Sequence, residues 1–169
     1  MKKYLVILIL VLVCSCSKLS SIFDGSDNNA IAPIEWSGTN ASEATLPISS
    51  FMISRALYNA GATYSPNDCG KALILNDDTY LTPFELEGSQ VVWPVIDFSE
   101  YSLVIGFFES AVGNTLAHQR VTQTNSVGKL YLRMQKLNGC AFDVSPYYFY
   151  GLYPKLKDGP LTVVRYDED

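Results

Sequence analysis

Residues Lys129–Leu137 read KLYLRMQKL, and their alternation decides the fold. Successive Cβ atoms on an extended chain point to opposite sides, so Leu130, Leu132 and Met134 share one face while Tyr131, Arg133 and Gln135 share the other. Asn138-Gly139 follows directly, the dipeptide that best tolerates the two positive φ angles of a tight hairpin turn. A return strand is therefore expected from Cys140, broken at Ser145-Pro146 and resuming through Tyr147–Leu152.

The same reading extends outward in both directions. Leu116–Thr124 (LAHQRVTQT) precedes the alternating stretch as a further strand, and Asp158-Gly159 forms a turn before a last strand over Leu161–Tyr166 (LTVVRY). Tyr101–Phe108 (YSLVIGFF) is almost wholly apolar, as a strand buried on both faces would be. Lys71–Leu75 (KALIL) is a short strand. Ser50–Leu57 (SFMISRAL) reads as a strand through the alternation of Phe51 and Ile53. Asn76-Asp77-Asp78 offers capping groups to a helix over Thr79–Leu86, which Pro83 limits to about two turns. The fold class expected is mainly β (α+β), with an antiparallel meander of about five strands and one or two short helices in a single domain.

Length and charge narrow the function classes. The chain has 169 residues, 48% of them apolar and 17% charged, which fits one globular domain. Twelve lysines and arginines against seventeen acidic residues leave a net charge of −5. Nucleic acid is disfavoured as a partner, because phosphate binding requires a basic surface that releases counterions.

The N-terminus carries the most specific signal. Met1-Lys2-Lys3 is positively charged, and Tyr4–Val13 (YLVILILVLV) is an unbroken apolar run. As a helix that run spans about 15 Å, about half a bilayer core, which suits a secretory signal and not a membrane span. It ends in Val13-Cys14-Ser15-Cys16-Ser17 and resembles a bacterial lipoprotein signal, in which a cysteine becomes the lipidated first residue. Two cysteines fit. Cys16 is favoured because small Ser15 precedes it, whereas Cys14 follows Val13. Residues 1–15 are then the signal peptide, 16–35 a flexible Ser/Asn/Asp-rich tether, and 36–169 the domain. Such a tether spans about 20–25 Å as a random coil. Loss of Lys2 and Lys3 leaves ten basic against seventeen acidic side chains, a charge of −7. The lipid would attach the protein to the cell envelope, at the outer membrane on its periplasmic or surface side. Two cysteines then remain, and in an exported chain Cys69 and Cys140 are expected to form a disulfide. The loop it closes, 71 residues apart in sequence, corresponds to about 4 kcal/mol of unfolded-state entropy.

Val95–Gly106 (VIDFSEYSLVIG), together with Leu152–Leu156 (LYPKL), resembles small lipoproteins of Bacteroidetes, and more distantly the PrcB-type domain of protease-complex lipoproteins. The resemblance implies a β-rich accessory domain that binds or stabilises an envelope partner. Independently of any family, Asp97 is placed to accept hydrogen bonds from the turn that follows it, with Phe98 packing inward where the strand begins.

No catalytic constellation emerges, and no enzyme is expected. His118 is the only imidazole and sits among alternating strand residues as a surface side chain. Ser110 lies outside any G-x-S-x-G elbow. Asp77, Asp78, Glu85, Glu87, Asp97 and Glu100 lack the spacing of a calcium loop, no CxxC or HxxxH suggests a metal, and no glycine-rich phosphate loop suggests a nucleotide cofactor. The aromatics are the better lead. Tyr147, Tyr148, Phe149, Tyr150 and Tyr153 crowd one strand, so some must turn away from a one-sided core. Tyr148, Tyr150 and Tyr153, with Trp93, are the candidate binding surface. The expected function is a non-catalytic, lipid-anchored module that binds an envelope protein, with glycan binding by the tyrosine strand as the alternative. The anchor has a direct test. Cys16→Ser should abolish metabolic lipid labelling of the mature chain, and loss of label in Cys14→Ser alone would move the site to Cys14.

Overall fold

Tyr101–Ala111 is an eleven-residue strand in which Ser102 through Phe108 are all buried. Such a strand needs cover on two faces and partners on two edges, and the rest of the molecule supplies them. A computed structural model describes residues 38–42, 45–65, 70–111, 114–135 and 144–168. In chain order the elements are β1 (Thr39–Asn40), α1 (Ser50–Asn59), β2 (Lys71–Leu75), β3 (Phe84–Leu86), β4 (Ser89–Val91), β5 (Tyr101–Ala111), β6 (Thr115–Thr124), β7 (Val127–Gln135), β8 (Val144–Pro154) and β9 (Leu161–Glu168).

The central sheet has the order β2-β5-β8 and is antiparallel throughout. β5 and β8 pair in register along their whole lengths, from Tyr101 opposite Pro154 to Ala111 opposite Val144. A second sheet, β1-β6-β7-β9, packs on one face of it. Val104, Phe108, Phe149 and Tyr153 meet Val121, Leu130, Leu132 and Met134 in that core. On the opposite face of β5, Leu103, Ile105 and Phe107 meet Met52, Ile53, Ala56 and Leu57 of α1, with Leu81 and Trp93 beside them. The result is three layers in one mainly β domain, with the β2-β5-β8 sheet in the middle. Close approach sets two positions. A Cβ on Gly106 would lie 2.4 Å from the Lys71 carbonyl oxygen and 2.5 Å from the Phe149 ring, and one on Gly151 would meet the Gln119 amide at 2.8 Å.

The expected strands over Lys71–Leu75, Tyr101–Phe108, Leu116–Thr124 and Leu161–Tyr166 form, with small shifts at their ends, and the one over Lys129–Leu137 forms as far as the described residues run, to Gln135. Their connection is not a meander. β7 pairs with β6 and, in parallel, with β9. β8 pairs with β5 and not with β7; the expected turn at Asn138-Gly139 lies outside the described residues. The alternation of β8 serves two cores at once, one closed by α1 and the other by the β1-β6-β7-β9 sheet. Pro146 does not break the strand either; it pairs with Glu109 on an edge, where a missing N–H is tolerated.

Two local expectations reverse. Ser50–Asn59 is a helix, because Met52, Ile53, Ala56 and Leu57 recur at helical and not strand spacing. The Ser49 hydroxyl caps it, accepting from the Met52 N–H at 3.3 Å, and Gly61 at φ +70° closes its far end. Thr79–Leu86 is not a helix. Asp77 turns the chain by accepting from the Thr79 N–H at 2.9 Å. Pro83 then disfavours helical backbone at Thr82, and Phe84–Leu86 pairs with Ser89–Val91. Glu87 and Gly88, at φ +50° and +77°, make that two-residue turn, as Asn125 and Ser126 (φ +52° and +69°) do between β6 and β7.

The 0% exposure of Leu132 at the centre of the inter-sheet core gives a prediction. Leu132→Ala should lower unfolding stability by about 2–5 kcal/mol, read as a shift in urea midpoint at unchanged slope.

Candidate functional site

Tyrosines of β8 were the sequence's candidate surface, and the middle-layer position of that strand decides their fate. Tyr148 and Tyr150 face the helix layer. Tyr148 meets the edge of Phe107 with ring centroids 6.3 Å apart, and the Tyr150 hydroxyl donates to the Leu46 carbonyl at 2.7 Å. Tyr147 and Phe149 face the other sheet, where Tyr147 stacks on Phe108 at 5.1 Å. Tyr153 lies on that face too and is fully buried, so burial pushes its phenol above the usual tyrosine range. Trp93 is 8% exposed and packs beneath α1. Tyr153 and Trp93 are thus core residues and not members of a binding surface. Tyr153 is sealed because β8 is covered on both faces, whereas Tyr148 and Tyr150 are half-buried. Cys16, Cys69 and Cys140 lie outside the described residues.

The candidate chemical groups are scattered. His118 is exposed on β6, opposite Arg133 in register. Ser110 is buried on β5. Glu85 and Glu87 are exposed at the β3–β4 turn. Among the described residues, no group of three or more His, Cys, Asp or Glu side chains is placed to hold a metal ion. Tyr64 donates to Glu109 at 2.9 Å, and this bond to the carboxylate holds the phenol above its ordinary value. A polar cluster ties loops to the central sheet. The buried Ser102 hydroxyl bonds to the Asn76 side chain and accepts from the Leu156 N–H at 2.8 Å, while Asn76 donates to Asp158 at 2.5 Å. These contacts are structural pins.

Among the described residues, an open recess lies on the outer side of α1. With Met52, Ile53, Ala56 and Leu57 turned inward, helical spacing turns Phe51, Arg55 and Tyr58 outward together. Phe51 is 59% and Tyr58 62% exposed, and the Arg55 guanidinium lies 5.6 Å from the Tyr58 ring centroid. The β3–β4 hairpin forms the opposite wall through Pro83, Phe84 and Leu86, with Glu85 at its rim; the open groove holds about 500 Å³. Asn59 fixes the two walls by donating to the Tyr80 carbonyl at 3.2 Å and to the Thr82 hydroxyl at 3.0 Å. Beyond Phe51 a second recess, lined by Ser50, Ser54 and Tyr148, continues this surface. Tyr148 is therefore the one candidate tyrosine that borders it. The sequence held the missing signal, a Ser49 cap followed by apolar residues at 52, 53, 56 and 57, which leaves 51, 55 and 58 as a second stripe.

Comparison of the chain with protein families, with curated proteins and with solved structures finds no match.

Asp97 does what the residues of its turn imply. Its carboxylate accepts from the Ser99 N–H at 3.0 Å and from the Ser99 hydroxyl at 2.5 Å, and half-buried Phe98 packs against the helix-side core. The Ser99 side chain first, and its N–H second, hold the Asp97 carboxyl below its ordinary value. The unfolded chain therefore takes up this proton before the native one does. The stabilisation is present above about pH 4 and is lost as pH falls through the depressed native value. Asp97→Asn should give a shallower fall of urea midpoint with acidification than the unsubstituted chain.

Proposed function

We propose that this chain is a non-catalytic envelope protein, held to a membrane by lipid on Cys16, whose α1 groove docks another protein. The observation that carries the reading is the outward stripe Phe51-Arg55-Tyr58. It places two large, mostly exposed aromatic rings and a guanidinium on a rigid helix beside an apolar hairpin wall. Aromatic and arginine side chains dominate the energetics of protein interfaces, because they bring area and directional bonding at low entropic cost. The groove's breadth, its single charge of each sign and its open floor suit a protein segment laid across it. The likeness of the Asp97-Phe98-Ser99 turn and the strand after it to accessory lipoproteins supports the same reading.

The test is an affinity capture of the lipidated protein from its own detergent-solubilised envelope, run beside a Phe51→Ser/Tyr58→Ser variant. A stoichiometric protein recovered with the unsubstituted chain and reduced about thirtyfold or more with the variant supports the reading. Recovery of the chain alone, or a partner retained equally by both, overturns it. Both substitutions are on exposed positions, so the thermal midpoint should remain unchanged.

A further inference from the structure

We propose that the α1 groove takes its occupant as an added β-strand: an extended segment of another protein that pairs with the outer edge of β3 while its alternate side chains lie against the α1 stripe. The inference rests on the docking reading above and names the form of the partner. It starts from the wall of the groove that faces α1. That wall is made by the four consecutive residues Pro83, Phe84, Glu85 and Leu86, and among the described residues none of β4 contributes to it. Successive side chains of an extended chain point to opposite faces, so a recess bordered by all of them meets the strand along its edge and not across one face. Phe84 and Val91 mark the covered face of the hairpin, since both pack against the helix-side core.

The register of the hairpin decides what that edge offers. Among the described residues β3 has β4 as its one strand neighbour, with Phe84 opposite Val91, Glu85 opposite Gln90 and Leu86 opposite Ser89. The two-residue turn at Glu87-Gly88 makes Leu86 and Ser89 a hydrogen-bonded pair, and the antiparallel pattern alternates from there. Phe84 and Leu86 are therefore bonded to β4, while Glu85 turns its N–H and C=O away from it, toward the groove. No backbone hydrogen bond among the described residues reaches Glu85 from outside the hairpin. The outer edge of β8 is different. Its Tyr150 carbonyl accepts from the Gln119 side chain at 2.6 Å, and its Leu152 carbonyl accepts from the Ser42 N–H at 2.6 Å. An edge with donor and acceptor both open is a template for one more strand.

The helical wall suits such a strand. Phe51, Ser54, Arg55 and Tyr58 lie along one stripe of α1, and a rise of about 1.5 Å per residue separates Phe51 from Tyr58 by about 10 Å along the axis. An extended chain covers that distance in about three residues, so two alternate side chains fit between the rings, over the small Ser54. Asn59, bonded to the Tyr80 carbonyl and the Thr82 hydroxyl, fixes the spacing of helix and strand, so the groove stands formed before anything enters it. A preformed groove lowers the ordering cost of binding. Main-chain hydrogen bonds then supply affinity for any extended segment, and the aromatic stripe selects segments with apolar residues at alternate positions. Proline is excluded from the guest residue opposite Glu85, because it has no N–H to give.

The probe is a displayed library of random linear peptides, panned against the purified full chain in detergent and counter-selected on its Phe51→Ser/Tyr58→Ser variant. Enriched sequences are expected to carry apolar residues at alternate positions and no proline at their centre. Glu85→Pro removes the outward N–H without breaking a bond to β4, so the thermal midpoint should hold while affinity for an enriched peptide falls about tenfold or more. Glu85→Gln keeps that N–H and should lose less than about threefold. Gln90→Pro, the same change on the far edge of β4, should bind as the unsubstituted chain does. Amide exchange keeps the test decisive if Glu85→Pro loses its fold: with the peptide bound, the Glu85 N–H should exchange about tenfold or more slowly and the Gln90 N–H at its former rate. Peptides that need Phe51 and Tyr58 but bind Glu85→Pro equally well, or leave Glu85 exchange unchanged, overturn strand addition and leave groove docking standing. A library that yields no peptide sensitive to Phe51 and Tyr58 overturns it too, and the envelope capture above then tells whether docking fails with it.

Discussion

The double-sided burial of β5 is the constraint on which the rest of this structure depends. An extended chain whose side chains are apolar on both faces must be covered twice, and its backbone must be paired on both edges. β2 and β8 satisfy the edges. α1 covers Leu103, Ile105 and Phe107, while the β6–β7 sheet covers Val104 and Phe108. Removing one layer would expose the facing half of a strand that has no polar side to offer water. The polar groups that do lie inside, such as the Ser102 hydroxyl, are bonded to loops at the sheet's end and set where the chain turns.

What the sequence made legible follows from how local each signal is. Alternation in Lys129–Leu137 and the apolar run at Tyr101–Phe108 report burial directly, and the structure places Leu130, Leu132 and Met134 at zero exposure. The Asp97-Phe98-Ser99 turn is equally local, and its hydrogen bonds form as the residue types imply. Partner choice is not local. Nothing within β7 distinguishes pairing with β8 from parallel pairing with β9, since the decision rests on Val163 and Tyr153 packing into a core shared by two sheets. The helix at Ser50–Asn59 was obscured because Phe51 and Ile53 are two apart, which mimics a strand until Ala56 and Leu57 are counted.

The candidate site was less legible than the fold for the same reason. Tyr148, Tyr150 and Tyr153 form an obvious aromatic cluster in sequence, yet clustering says nothing about how many faces are covered. In a two-layer protein one face of β8 would be wet; with a third layer, Tyr153 is sealed and Tyr150 spends its hydroxyl on Leu46. The surface left over belongs to α1 and the β3–β4 hairpin, short elements whose own sequences are unremarkable. Phe51 and Tyr58 are outward because four other residues of the same helix are committed inward.

The order of the central sheet has a consequence for how the chain acquires its structure. β2, β5 and β8 are neighbours in space but are separated by long stretches of sequence, with the β6–β7 hairpin emerging between β5 and β8. During synthesis β5 appears after α1 and β2 but with the face that carries Val104 and Phe108 still bare, and its full-length partner ends only at Pro154. The parallel strand β9, which completes the other sheet, comes last of all. Such non-local pairing makes folding slow and postpones it until nearly the whole chain is present. Until β8 and β9 are available, the apolar side chains of β5 that the second sheet seals stay open to contacts with other chains, so aggregation competes with folding through this interval.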